Sequence, residues 1–287
     1  MVRDGCNALN GYLRIDEAIA AAAERLASVS DSARLEAELL LARALDVPRS
    51  YLYAHPDDTM DAEAQKRFGE TVGRRAAGLP LAYITGTREF WSMELMVSRD
   101  TLVPRPETEL VVEQALARMP RRAKMRVLDL GTGSGAIALA LARERPNCDF
   151  VATDVSPAAL AVARENARQH DLPNVEFRSG SWFEPVRGER FDIVVSNPPY
   201  VCETDPALAE LSFEPREALA SGADGLDALR VIAEHAGAVL HAGGALVVEH
   251  GEQQGDVLSG LLDAHGWTDI RTRTDFAGKP RVTVATR

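Results

Sequence analysis

At 287 residues the chain is long enough for one large domain or two smaller ones, and a hydrophobic share of 46% supplies a sizeable core. A net charge of −11 with a pI near 5.1 argues against direct nucleic-acid binding, which relies on clustered Lys and Arg facing phosphates. No apolar run reaches the length of a membrane span, no secretory pattern opens the chain, and Cys6, Cys148 and Cys202 form no CxxC pair; these features argue against a disulfide framework and a zinc site and predict a soluble cytoplasmic protein.

Residues 1–82 read as a small all-α domain. "IDEAIAAAAERLAS" and "DSARLEAELLLARALDV" carry apolar residues at helical spacing, with Asp31 as a candidate N-cap of the second helix and Asp46 and Pro48 marking its end. "DAEAQKRFGETVGRRAAG" reads as a further amphipathic helix. The short basic clusters, Arg74-Arg75 and Arg121-Arg122 with Lys124, are expected to be solvated helix ends or loops. Residues 83–104 change character: "YITGTREFWSMELMVS" is aromatic and β-branched, with Gly86 as punctuation, and predicts a β-hairpin linker. From residue 105 to 287 helices and strands alternate, the signature of an α/β domain with a parallel sheet. Pro106 suits the first position of its first helix, and Glu107 and Glu109 face the positive end of the helix dipole.

Next comes "RVLDLGTGSGAIALALAR", a strand running through Gly131-Thr132-Gly133-Ser134-Gly135 into a helix. Glycine lets backbone pass close to a ligand and supplies turns that a Cβ blocks. A second strand, "CDFVATD", ends on Asp154, where a carboxylate is expected to bind ribose hydroxyls. A dinucleotide fold is one reading, but the glycine spacing is GxGxG rather than GxGxxG. That shorter spacing resembles the first motif of S-adenosylmethionine-dependent methyltransferases, in which the loop wraps the methionine and ribose of the cofactor.

The apolar run Phe191–Val195 predicts a buried parallel strand that stops at Asn197-Pro198-Pro199-Tyr200. Loops at the carboxyl ends of such strands are where open α/β sheets bind ligands. Proline restricts both itself and the residue before it, so the tip is preorganised. The side-chain oxygen of Asn197 and the carbonyl of Pro198 are both acceptors, suited to the two N–H groups of one planar NH2, with Tyr200 placed to cover its flat face. An amide or exocyclic amine nitrogen is a poor nucleophile because its lone pair is delocalised. Two acceptors can orient it, favour its pyramidalisation and stabilise the charge that develops on methyl transfer, with no general base needed before attack.

Together with the glycine loop, "NPPY" resembles the amino-group methyltransferases, which include DNA adenine and protein glutamine enzymes. "PLAYITGTREFWSMEL", "LVPRPETELVVE", "DLGTGSGAIALALA", "NPPYVCETD", "FEPREAL" and "VVEHGEQQG" are similar to the glutamine branch, the release-factor glutamine methyltransferases (HemK/PrmC). The likeness spans nearly the whole chain and is weakest over the first seventy residues. It implies a helical substrate-recognition domain, a hairpin linker and a Rossmann-like, seven-stranded class I methyltransferase domain. It also implies transfer of a methyl group from S-adenosylmethionine to N5 of the glutamine in the Gly-Gly-Gln motif of class-1 peptide-chain release factors. On the matching positions Gly131 to Gly135 and Asp154 would bind the cofactor, with Trp182 beside its adenine. Asn197, Pro198, Pro199 and Tyr200 would bind the glutamine, with Asn197 bordering the cofactor as well. Ser181 departs from the family, whose members often carry Asp there. Methylation of a ribosomal-protein glutamine is a sibling alternative; an adenine N6-methyltransferase calls for a basic target-recognition domain, which the acidic N-terminal helices do not resemble.

Other residues carry less. Arg105 can meet a substrate carboxylate or form a structural salt bridge. Cys202 lacks a paired histidine and reads as packing, and Glu249 and His250 at the end of "GALVVEH" read as structural.

Overall fold

The computed structural model describes residues 13–287, so Cys6 and the start of the expected helical domain lie outside the described residues. The chain divides into two compact units, the first ending at Thr85 and the second running from Gly86 to Arg287.

The first unit is helical. Helix α1 (Ile15–Leu26) buries Ile15, Ala18, Ile19, Ala22 and Leu26, the stripe expected from helical spacing. Helix α2 (Ala33–Leu45) is capped by Ser32 rather than Asp31, without a side-chain cap bond, and ends at Asp46, whose left-handed backbone (φ 55°) directs its N–H back to Ala42 and Arg43. Then follow the short α3 (Arg49–Ala54), α4 (Ala62–Ala76), which Asp61 caps through Ala64 N at 2.7 Å, and α5 (Leu81–Thr85). Tyr83 to Thr85, expected in the hairpin, are thus the last turn of a helix.

The second unit opens with an antiparallel hairpin, β1 (Thr87–Phe90) and β2 (Met93–Met96). Its two-residue turn is Trp91-Ser92, both with positive φ (52° and 54°), the backbone form that matches strand twist and normally selects Asn or Gly. Hydrogen bonds hold it there: Trp91 N donates to Glu109 Oε1 at 2.9 Å, the indole to Glu144 at 3.2 Å, and Arg143 to Ser92 O at 3.0 Å. The hairpin belongs to the core of this unit, because Phe90, Met93 and Leu95 lie in one buried cluster with Val111, Val112 and Ile137.

The remaining elements are α6 (Glu109–Leu116), β3 (Arg126–Leu130), α7 (Ala136–Glu144), β4 (Asp149–Asp154), α8 (Pro157–Gln169), β5 (Val175–Ser179), β6 (Phe191–Ser196), the single-turn α9 (Ala207–Glu210), α10 (Asp227–His235), β7 (Leu240–Glu249), α11 (Gly255–Ala264), β8 (Thr268–Thr274) and β9 (Pro280–Thr286). They build a seven-stranded sheet in the order β5-β4-β3-β6-β7-β9-β8, parallel except where β9 runs antiparallel to β7 and β8. The central strands β3, β4 and β6 are apolar on both faces because helices cover both. The edge strand β8 is polar and mostly exposed, which protects an open sheet edge from further pairing. Strand order reverses between β3 and β6, so the crevice at their carboxyl ends lies between the glycine loop and Asn197. Among the described residues no helix is long and apolar enough to cross a membrane.

Candidate active site

The loop after β3 turns because its glycines adopt conformations that L side chains resist: Gly131 (φ 70°), Gly133 (57°) and Gly135 (89°). At Gly135 crowding adds to this, since a Cβ would meet Leu139 at 3.0 Å and Ala163 at 3.3 Å as α7 packs down. Four of the loop's five amides are bonded within the protein. Gly131 N and Thr132 N both donate to Thr153 O, Gly133 N to Asp154 Oδ2 at 2.8 Å, and Gly135 N to Thr132 O. A pyrophosphate needs free amide donors at this place. With those four amides occupied and the Asp154 carboxylate alongside, the loop suits a cationic or neutral ligand better than a dinucleotide.

Asp154 holds the loop as well as bordering the cavity. Its other oxygen, Oδ1, accepts Ser156 N at 2.9 Å, so each oxygen keeps a lone pair for a ligand hydroxyl. Asp129 lies beneath, 1% exposed; its Oδ2 accepts Thr132 Oγ1 at 2.6 Å and Ala138 N at 3.2 Å, while Oδ1 has no partner. Burial pushes its carboxyl up to about 7, against those two hydrogen bonds. Asn166 ties the loop to the hairpin: fully buried, it donates to Ser134 O at 2.8 Å and to Met96 O at 3.0 Å and accepts Met96 N at 2.7 Å.

A cavity of about 620 Å³ occupies the crevice. Gly131, Thr132, Gly133, Ser134, Asp154, Trp182, Asn197, Pro198 and Pro199 all line it, so the structure brings together nine residues singled out in the sequence. Gly135 and Tyr200 do not line it. Gly135 serves the close packing of α7, and Tyr200 donates its hydroxyl to Glu249 Oε1 at 3.1 Å. Trp182 has positive φ (45°), a costly backbone for a bulky residue, and packs on the core around β6 while facing the cavity. Ser181 lines the wall beside it.

Asn197 follows Ser196, whose hydroxyl donates to Leu130 O at 2.8 Å and so fastens the two strand ends together. Its Nδ2 donates to Thr108 Oγ1 at 3.1 Å. Arg105 forms a salt bridge with the buried Glu214, whose other oxygen accepts Val103 N at 3.1 Å; this links the segment before α6 to "FEPREAL", and both border the cavity through Pro104, Pro215 and Glu217. Cys202 donates to Ala223 O, and His250 is buried between Gly251 O and Thr283, consistent with structural roles. Thr108, Asp129, Asn166 and Glu214 were not evident as site residues in the sequence, because each acts through a partner distant along the chain or, for Asp129, through burial.

Residues 17–86 match the model of the PrmC N-terminal domain, and residues 121–266 match that of a methyltransferase domain. The chain is 50% identical over 268 residues to a release factor glutamine methyltransferase of Xylella fastidiosa strain Temecula1, covering 93% of this chain and 95% of that one. It is 45% identical to the Coxiella burnetii enzyme of the same name (96% and 99% covered) and 41% identical to that of Escherichia coli K12 (89% and 92%). In fold it is similar to a methyltransferase from Pyrococcus furiosus, with a TM-score of 0.52 at 19% identity over 68% of this chain and 88% of that one. At such identity across nearly the full length of both chains, the protein belongs to the release factor glutamine methyltransferase family.

Proposed function

We propose that this chain transfers the methyl group of S-adenosylmethionine to N5 of the glutamine in the Gly-Gly-Gln motif of class-1 peptide-chain release factors, in the cytoplasm. One observation carries the reading: the Asn197-Pro198-Pro199 tip and the glycine loop with Asp154 border the same cavity, at the carboxyl ends of adjacent strands.

The residues present fit the cofactor. The glycine loop offers close backbone approach with four of its amides already bonded within the protein, and Asp154, Asp100 and Glu217, which line the cavity beside Arg99, give it an acidic balance that suits a cation. Trp182 with Ile137 and Ala159 gives an apolar wall for a heteroaromatic base, and Asp154 can accept from ribose hydroxyls. When bound, S-adenosylmethionine supplies an electrophilic methyl group on a sulfonium centre.

The work of this chain is to orient and to stabilise charge. Asn197 spends its NH2 on Thr108, which leaves Oδ1 as an acceptor. Oδ1 and the Pro198 carbonyl accept the two N–H groups of the glutamine amide and turn its lone pair out of conjugation. As the nitrogen gains positive charge both hydrogen bonds strengthen, so they stabilise the transition state more than the ground state. Alignment of nucleophile and methyl carbon contributes up to about 7–11 kcal/mol. The C–N bond would form as the sulfonium S–CH3 bond breaks, giving S-adenosylhomocysteine as the other product, and the amide proton departs to water after transfer, so no residue must act as a base before attack. The N-terminal helices, which hold no such constellation among the described residues, recognise the release factor away from the glutamine.

The test is Asn197→Ala with S-adenosylmethionine and an intact release factor. The variant should fold and bind cofactor with modest loss, while its single-turnover rate falls by about 10²-fold or more. A variant that loses thermal stability yet transfers methyl at the wild-type rate would show that Asn197 only closes a turn.

A further inference from the structure

The segment "VVEHGEQQG" lines no part of the cavity, yet it holds the Asn197-Pro198-Pro199-Tyr200 tip from behind. Tyr200 is bonded to this one segment at two points: its hydroxyl donates to Glu249 Oε1 at 3.1 Å, and its carbonyl accepts Gln254 Nε2 at 2.9 Å. The same Nε2 donates to Gly225 O at 3.2 Å, and Gln254 Oε1 accepts Gly251 N at 2.9 Å. Glu249 is the last residue of β7 and Gln254 the N-cap of α11, so both bonds tie the tip to packed elements of the sheet domain. Gly225 is buried against the junction with φ 76°, and a Cβ there would meet Tyr200 O at 2.5 Å.

We propose that Gln254 is a positioning residue for methyl transfer: it clamps the Tyr200 carbonyl and so fixes where Asn197 and the Pro198 carbonyl stand in the cavity. This rests on the reading of those two groups as acceptors for the substrate amide. The tip is pinned at its start, where β6 pairs with β3 and β7 and the Ser196 hydroxyl donates to Leu130 O at 2.8 Å. Within the tip, Pro198 and Pro199 have no N–H with which to hold the backbone. Its far end must supply the second anchor. There the peptide unit joining Tyr200 to Val201 is bonded on both sides, its carbonyl to Gln254 and its N–H to Leu219 O at 2.9 Å. A planar unit held at both its polar groups cannot rotate.

The chemistry of the clamp calls for glutamine. The three groups around it are backbone and have fixed polarity: Gly251 N–H only donates, and the carbonyls of Tyr200 and Gly225 only accept. One acceptor and two donors on one planar group are what a side-chain amide supplies. Glutamate of the same length keeps the acceptor but sets its second oxygen against two carbonyls. The Tyr200 peptide is then free to turn, and the acceptors upstream of it move with it. Displacement of a reacting group by about 1 Å can cost about 10²-fold in rate, so a residue behind the tip is coupled to turnover. Cofactor binding is not coupled in this way, because the glycine loop and Asp154 follow β3 and end β4 and make no bond to Gln254.

The experiment uses the full chain with S-adenosylmethionine and an intact class-1 release factor carrying Gly-Gly-Gln. Wild type, Asn197→Ala, Gln254→Glu, Gly225→Ala and the double variant of Asn197→Ala with Gln254→Glu are compared for melting temperature, cofactor affinity and single-turnover rate at saturating release factor. Gln254→Glu should keep cofactor affinity and lose about 10–100-fold in rate per folded molecule. Gly225→Ala, which pushes on the same carbonyl without removing a hydrogen-bonding group, should be slow as well. The double variant should fall below Asn197→Ala by clearly less than the factor that Gln254→Glu costs alone, because Asn197 is one of the two groups that Gln254 positions. A wild-type rate per folded molecule in Gln254→Glu or Gly225→Ala, beside a slow Asn197→Ala, would mean that the clamp only supports the fold; it would overturn the proposal and leave the reading of Asn197 intact. Losses that multiply in full in the double variant would place the action of Gln254 outside the tip and overturn it too. A wild-type rate in Asn197→Ala would instead remove that reading and the proposal with it. If Gln254→Glu fails to fold, Gln254→Met, which removes the donors without adding a charge, takes its place throughout.

Discussion

Asp154→Ala removes a side chain that has two tasks. In the protein alone it accepts Gly133 N at 2.8 Å and Ser156 N at 2.9 Å, fixing the glycine loop and the start of α8. Hydrogen bonds to charged groups contribute roughly 1.5–3 kcal/mol each. The carboxylate is half-buried, so water replaces part of what is lost, and about 1.5–3 kcal/mol in all is the expected cost to the loop. Because the loop and the ribose contact act on the same ligand, a loss of that size predicts cofactor affinity lower by about 10–100-fold, at 1.4 kcal/mol per decade. The melting temperature should fall by roughly 2–4 °C for each kcal/mol that appears in stability rather than binding. Calorimetric titration with S-adenosylmethionine, beside thermal unfolding of the same preparation, separates the two. Asp154→Asn, which keeps the shape and one acceptor but sets an N–H against a backbone N–H, should be similarly weak. A folded Asp154→Ala protein that binds the cofactor with wild-type affinity would refute the assignment.

Asp129→Asn tests the buried acid beneath the loop: since burial raises its carboxyl to about 7, the folded state holds a proton that the unfolded state has released, and stability falls as pH rises from the ordinary carboxylate range toward 7. The variant should lessen that slope by up to about 1.4 kcal/mol per pH unit in denaturant unfolding, and an unchanged slope would mean that Asp129 is ionised throughout. Removal of residues 1–82 should spare cofactor binding and reduce methylation of an intact release factor by about tenfold or more, at least 1.4 kcal/mol of lost recognition; equal methylation by the truncated and full chains would contradict a recognition role.

Much of this architecture was legible in the residues, and the parts that were not share a cause. The apolar runs of β3, β4 and β6 and the glycines between β3 and α7 announce themselves, since both-face burial and positive φ leave few alternatives. The short helix Leu81–Thr85 does not, because "LAYIT" has strand-like composition and is helical only in its tertiary setting. The Trp91-Ser92 turn carries neither Asn nor Gly; Glu109, Glu144 and Arg143 hold it. Asn197 and the glycine loop could be read as a site from local pattern, whereas Thr108, 89 residues from Asn197, and Glu249, 49 from Tyr200, become visible only when the sheet brings them together. The anchoring of the Tyr200 hydroxyl on Glu249 was hidden in the sequence for the same reason.

The central claim is tested most directly by locating the transferred methyl group. The full chain is incubated with labelled S-adenosylmethionine and an equal mixture of intact class-1 release factor, ribosomal protein and duplex DNA, and peptides and nucleosides are then mapped by mass spectrometry. A single methyl group on the side-chain amide of the Gly-Gly-Gln glutamine is expected, deposited about 10²-fold more slowly or worse by Asn197→Ala. Label on a ribosomal-protein glutamine or on adenine, with the release factor unmodified, would contradict it.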